Sequence, residues 1–170
     1  KAETPGYLAY DGKPFQVNST VASTKGPLGQ TALVLNGEGG LKTDALPGFD
    51  SGKGWALTAW VRRDRADESP LFSTMNFSVP ASSQNYGQGV EIRLTSDGAI
   101  EVRMAQRWPA YSVNLVTRDT IPLSEWRNLL ITCDGSTTAK GLRVFMDGQE
   151  CSGMSFAMMT SRPRQFLERL

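Results

Sequence analysis

The residues best suited to chemistry fall in two stretches. Arg107-Trp108-Pro109-Ala110-Tyr111 sets two aromatic rings and a guanidinium beside a proline that stiffens the backbone. A flat aromatic surface next to hydrogen-bonding groups is what stacks on the apolar face of a sugar ring. The alternative for Trp108 is a plug between sheets, with Arg107 bonded to carbonyls. The second stretch, Met75–Gln88, is rich in Ser, Asn and Gly and too long for a tight turn. In it Phe77 and Tyr86 are accompanied by Gln84, Asn85 and Gln88, whose side chains either bond ligand hydroxyls or simply meet water. The candidate ligand-binding set is therefore Arg107, Trp108, Tyr111, Tyr86 and Asn85.

Other chemistry is excluded by composition. The 170 residues contain no histidine, which removes Ser-His-Asp and Cys-His nucleophiles, imidazole acid–base catalysis and His-ligated metals. Two cysteines, Cys133 and Cys151, are too few for a thiolate cluster, and they read as free buried thiols or as one disulfide. Eighteen basic residues against 17 acidic leave a net charge of +1, so no electrostatic surplus points to nucleic acid or an anionic membrane. No run of about 18 apolar residues spans a bilayer. Lys1–Tyr10 has no apolar stretch of the signal-peptide kind, and the chain reads as an excised domain or a processed product.

The elements that must carry these residues are strands. Val90, Ile92 and Leu94 alternate with Glu91, Arg93 and Thr95; after Ser96-Asp97-Gly98, Ile100, Val102 and Met104 alternate with Glu101, Arg103 and Ala105. A two-residue Asp-Gly turn would set Leu94 against Glu101 and mix the faces. A three-residue loop with Gly98 left-handed pairs Ile92 with Val102 and Leu94 with Ile100. Outside, it sets Arg93 against Glu101 and Glu91 against Arg103 as surface ion pairs, each contributing a few tenths of a kcal/mol. Further strands are expected at Ala32–Asn36, Gly40–Thr43, Trp55–Arg63, Leu71–Thr74, Val113–Arg118, Trp126–Cys133, Leu142–Met146 and Gln149–Ser152. Asp147-Gly148 is a two-residue hairpin signal. Trp55, Trp60 and Trp126 read as core or inter-sheet residues. With turns every ten residues or so and no amphipathic helix, the chain is all-β, a two-sheet antiparallel sandwich.

Trp126–Gly148 (W-R-N-L-L-I-T-C-D-G-S-T-T-A-K-G-L-R-V-F-M-D-G) resembles a strand–loop–strand stretch of laminin-G-like domains in the concanavalin A-like lectin/glucanase superfamily. Ala32–Gly37 (A-L-V-L-N-G) and Trp55–Arg63 are similar to two earlier strands of that family, in the same order. Gln106-Arg107-Trp108-Pro109 is similar to a His-Arg-Trp-Pro element of laminin-G-like domains in large, uncharacterised bacterial cell-envelope proteins with cytochrome c-type domains. Gln106 stands at the histidine position, and Cys133 where a tyrosine is usual.

The resemblance implies a jelly-roll sandwich over residues 1–154, followed by a tail, 155–170, that forms a short helix or an edge segment. The family's closing strand is not legible, so either the sandwich lacks it or Ser155–Leu170 closes it differently. Glucanases of the superfamily need a Glu-x-Asp-x-x-Glu strand, and this chain has none. Catalytic residues are therefore not expected. Calcium occurs in many such domains, but Asp97, Asp134 and Asp147 each precede a glycine and are explained by turns, leaving Asp11, Asp44 and Asp50 as contributors. No cofactor or metal ligand is assigned. The expected function is a non-enzymatic, extracytoplasmic recognition module, periplasmic or at the cell surface, for a glycan or a neighbouring protein domain. Its rival is a structural domain packing on its neighbours with no small ligand.

Overall fold

The computed structural model describes residues 16–17, 21–37, 40–42, 53–136 and 138–159. Asp11, Asp44, Asp50 and the tail from Ser161 to Leu170 lie outside the described residues. The chain divides into two units, Lys1–Gly48 and Phe49–Leu170.

In the first unit, β1 (Gln16–Val17) pairs antiparallel with β4 (Leu41–Lys42), and β2 (Ala22–Lys25) with β3 (Thr31–Val34). The turn between β2 and β3 places Gly29 at φ +85°, with its N–H donating to the Gly26 carbonyl at 3.1 Å. Neither β1 nor β2 is marked in the sequence by alternation, since each is too short or too polar to show a period.

The second unit is the sandwich. One sheet has the order β12 (Gln149–Glu150), β11 (Leu142–Met146), β10 (Trp126–Cys133), β5 (Trp55–Arg62). The other has the order β13 (Gly153–Met159), β9 (Tyr111–Thr120), β8 (Ala99–Arg107), β7 (Gly89–Leu94), β6 (Ser69–Ser73). All these pairings are antiparallel. Alternation decides what lies between the sheets. Ile92, Leu94, Ile100, Val102 and Val113 from the five-stranded sheet meet Leu129, Ile131, Cys133, Leu142 and Val144 from the four-stranded one in a single buried cluster. Ile121, just after β9, is fully buried and completes it.

The hairpin of β7 and β8 has the register the charges demand: Ile92 opposes Val102, Leu94 opposes Ile100, Arg93 opposes Glu101 and Glu91 opposes Arg103. Gly98 sits at φ +93°, and a Cβ there would lie 2.5 Å from Arg63 Cζ and 2.6 Å from the Ile121 carbonyl oxygen. Only glycine meets both demands. Arg63 uses the space, donating to the Ser96 and Asp97 carbonyls at 2.9 and 3.0 Å. At the other two-residue signal, Asp147 (φ +50°) and Gly148 (φ +81°) form the turn between β11 and β12, both central residues left-handed.

Two expectations are corrected. Trp60 is 38% exposed and Trp126 half-buried outside the core, because β5 and β10 turn Leu57, Val61, Leu129 and Ile131 inward and both tryptophans to the opposite face. Glu101 is only 8% exposed, so its ion pairs are not surface pairs. It lies on the middle strand of its sheet, under Arg93, Arg103 and Asn114. Where no closing strand was legible, β13 runs beside β9 over its whole length, from Gly153 opposite Thr117 to Met159 opposite Tyr111. Both cysteines are free thiols; Cys133 is buried in the core and Cys151 packs against it.

Candidate functional site

The turn from β8 to β9 carries the aromatic stretch. Arg107 and Tyr111 are the last pair of the ladder, and the Trp108–Pro109 peptide between them is cis. The Ser112 hydroxyl donates to the Pro109 carbonyl at 2.8 Å, holding the turn against the sheet. The 75–88 loop then folds onto Trp108. Asn76 and Gln88 form a bridge, and the backbone N–H of Trp108 donates to the Tyr86 carbonyl at 2.8 Å. Gly87 makes this approach feasible: at φ +64°, a Cβ there would lie 2.6 Å from Trp108 Cβ and 2.8 Å from Phe77 Cε1. Phe77 and Tyr86 meet edge to face at 5.3 Å. Arg107 reaches the Ala81 carbonyl only at 3.4 Å.

The expected site residues thus gather at one end of the five-stranded sheet. Arg107, Trp108, Tyr111 and Tyr86 are half-buried, and Asn85 is exposed on the adjoining turn. Trp108 is not a plug between the sheets. Its ring lies 5.0 Å from the Arg103 guanidinium carbon, and Arg103 faces away from the core.

Arg103 opens onto a polar floor of which the sequence showed the charge pairs across the β7–β8 hairpin, but not Asn114 or the Arg103–Glu101 bond. It donates to Glu91 at 3.1 Å and to Glu101 at 2.8 Å, so both carboxylates converge on one guanidinium. The Asn114 amide donates to the second oxygen of Glu101 at 2.8 Å. Arg93 lies 3.9 Å from Glu101 and donates to Glu68 at 2.7 Å. Four strands, β6 to β9, supply or adjoin this row, and register alone aligns it: Arg103 is opposite Glu91 on one side and Asn114 on the other. The signal that could have found Asn114 is the outward phase of β9, where polar Ser112 and Asn114 alternate with apolar Val113 and Leu115.

A separate cleft of about 430 Å³ lies among Asp119, Pro122, Arg127, Met146, Asp147 and Cys151, and the aromatic stretch does not line it. Its carboxylates are already engaged. Asp119 accepts from the Ser152 N–H at 2.8 Å. Asp147 accepts from the Asn128 N–H at 2.8 Å and from Arg127 at 2.9 Å, and these bonds hold its carboxyl below the usual range. Burial pushes the Cys151 thiol up, away from the reactive thiolate. Asp97 and Asp134 are likewise tied into their turns, by Thr95 and Ser136. Among the described residues no three Cys, Asp or Glu side chains are placed to hold a metal ion.

Two antiparallel sheets closed over one apolar cluster agree with the comparison to known families. A laminin-G-like family model, described as the concanavalin A-like lectin/glucanases superfamily, matches residues 35–164. The chain belongs to this superfamily. The match spans about three-quarters of the sequence and takes in both sheets, the 75–88 loop and the Trp108 turn. No match was found among curated proteins or solved structures. A concanavalin A-like domain is a ligand- or carbohydrate-binding module in general, and the superfamily includes both binders and enzymes.

Proposed function

We propose that this domain is a non-catalytic carbohydrate-recognition module within a larger extracytoplasmic protein, and that it binds at the Trp108 end of the five-stranded sheet. One observation carries the reading. Trp108 is anchored at its backbone N–H by the Tyr86 carbonyl, and its ring lies 5.0 Å from the Arg103 guanidinium carbon, so an aromatic ring stands beside a polar floor. Anchoring its backbone before binding lowers the ordering cost of stacking on a sugar. Arg107, Tyr111, Tyr86 and Asn85 supply the rim. The extracytoplasmic setting rests on family resemblance alone.

Catalysis is left out for a geometric reason. Glycosidic cleavage uses two carboxyl groups facing each other across the scissile bond. Here Glu91 and Glu101 face the same guanidinium, with Arg103 between them. The module is taken to work without a resident cofactor.

Trp108→Ala is expected to abolish glycan-array binding while moving the melting temperature by no more than about 2 °C. A large stability loss would show that Trp108 is a structural residue, and would sink the proposal. A second reading, a domain packing on its neighbours, draws on a different surface. Trp60 is 38% exposed on the outer face of the four-stranded sheet, where Trp126 and Phe145 are half-buried beneath Arg62 and Arg143.

A further inference from the structure

Two buried polar atoms on the floor have no hydrogen-bond partner in the structure: Arg103 Nε and Asn114 Oδ1. They belong to directly opposed residues on β8 and β9. One is a donor and the other an acceptor. The remaining polar atoms of both side chains are committed, Arg103 to Glu91 and Glu101, Asn114 to Glu101. These bonds also fix the orientation of the Asn114 amide, because its Nδ2 must face the Glu101 carboxylate. Asn114 is 9% exposed, and a buried acceptor left unbonded costs about 1–3 kcal/mol.

A buried donor and a buried acceptor on directly opposed residues have one natural complement. A hydroxyl accepts from Arg103 Nε–H through its oxygen and donates its proton to Asn114 Oδ1. A carboxylate or sulfate supplies no proton and leaves Asn114 unsatisfied. The floor also offers an anion no free cation. Arg93 and Arg103 are shared among Glu68, Glu91 and Glu101, three carboxylates against two guanidinium groups. The rim cation, Arg107, faces the Ala81 carbonyl.

We infer that Arg103 and Asn114 are the specificity-determining pair of the Trp108 site, and that they read one hydroxyl of a neutral sugar in preference to acidic ones. This rests on the carbohydrate-recognition reading. Trp108 lies over the Arg103 guanidinium, so a hydroxyl bonded to Arg103 Nε lies beside the ring and changes tryptophan emission.

The test is a titration of the intact chain with neutral hexose oligosaccharides and with the matching uronic-acid oligosaccharides, followed by calorimetry and tryptophan fluorescence. Wild type is expected to bind a neutral member, and Asn114→Ala, once shown to be folded, to bind it about tenfold or more weakly. Should Asn114→Ala not fold, Arg103→Lys keeps a positive charge between Glu91 and Glu101 but removes the Nε–H, and the same loss is expected. Neutral-sugar binding unaltered in the variants overturns the inference and leaves the recognition reading standing. So does a preference for uronates. Binding of neither series by wild type removes both.

Discussion

The two outer faces of the sandwich solve the same problem in opposite ways. Both are the reverse sides of strands whose inward residues are Ile, Leu and Val, and both must end the sheet against water. The five-stranded sheet does so with charge: Glu91, Arg93, Glu101 and Arg103 alternate in sign and are tied into one network with Asn114. The four-stranded sheet does so with rings: Trp60, Trp126 and Phe145, with Arg62 lying 5.3 Å from Trp126 and Arg143 5.0 Å from Phe145. A network of partly buried charges is directional, so it orients what it touches. Stacked cations over rings are tolerant of position and mainly shield apolar area. The first face holds its polar groups in fixed directions, and the second shields apolar area.

The contrast can be broken by substitution. Glu101→Ala leaves Arg103 and Asn114 facing each other without the carboxylate between them, and should cost about 3 kcal/mol in urea unfolding. A loss below about 1 kcal/mol would mean that the charged face is ordinary solvated surface. On the other face, Trp60→Ala should change stability by less than about 1 kcal/mol, because the ring already meets solvent. A larger loss would show that Trp60 is clamped under a part of the chain and that the ring face is an internal interface. Smallest of all is the effect of chelation. Both faces satisfy their carboxylates with guanidinium and amide groups, so a melt in EDTA should superimpose on the untreated one. A drop of several degrees would assign a bound calcium ion.

Much of the sandwich was legible because period two survives wherever one face is apolar. The β7–β8 register followed from charge matching and from Gly98, and β10, β11 and the Asp147-Gly148 turn followed from pattern and turn chemistry. What escaped was structure set by partners distant in sequence. β13 alternates Met154, Phe156 and Met158 with Gly153, Ser155 and Ala157, but Met154 is exposed beside Val116 on β9, so its apolar phase does not announce a buried face. The candidate site was half legible. Trp108 and Tyr86 stood out by type, but their meeting depends on Gly87, whose missing Cβ is informative only once the loop is folded. Glu101 and Asn114 were hidden for another reason. A charged residue on an alternating strand reads as solvated until its neighbours on both sides are known.

Arg63 and Gly98 carry one more lesson. Arg63 follows directly on β5 of the four-stranded sheet, while Gly98 sits in the hairpin turn of the other, and the guanidinium occupies the volume any side chain at 98 would need. The two positions therefore do not vary independently. A residue larger than glycine at 98 evicts Arg63 from the Ser96 and Asp97 carbonyls, and a shorter residue at 63 leaves those carbonyls to water. Across the sandwich, residues far apart in the chain have become a single heritable choice.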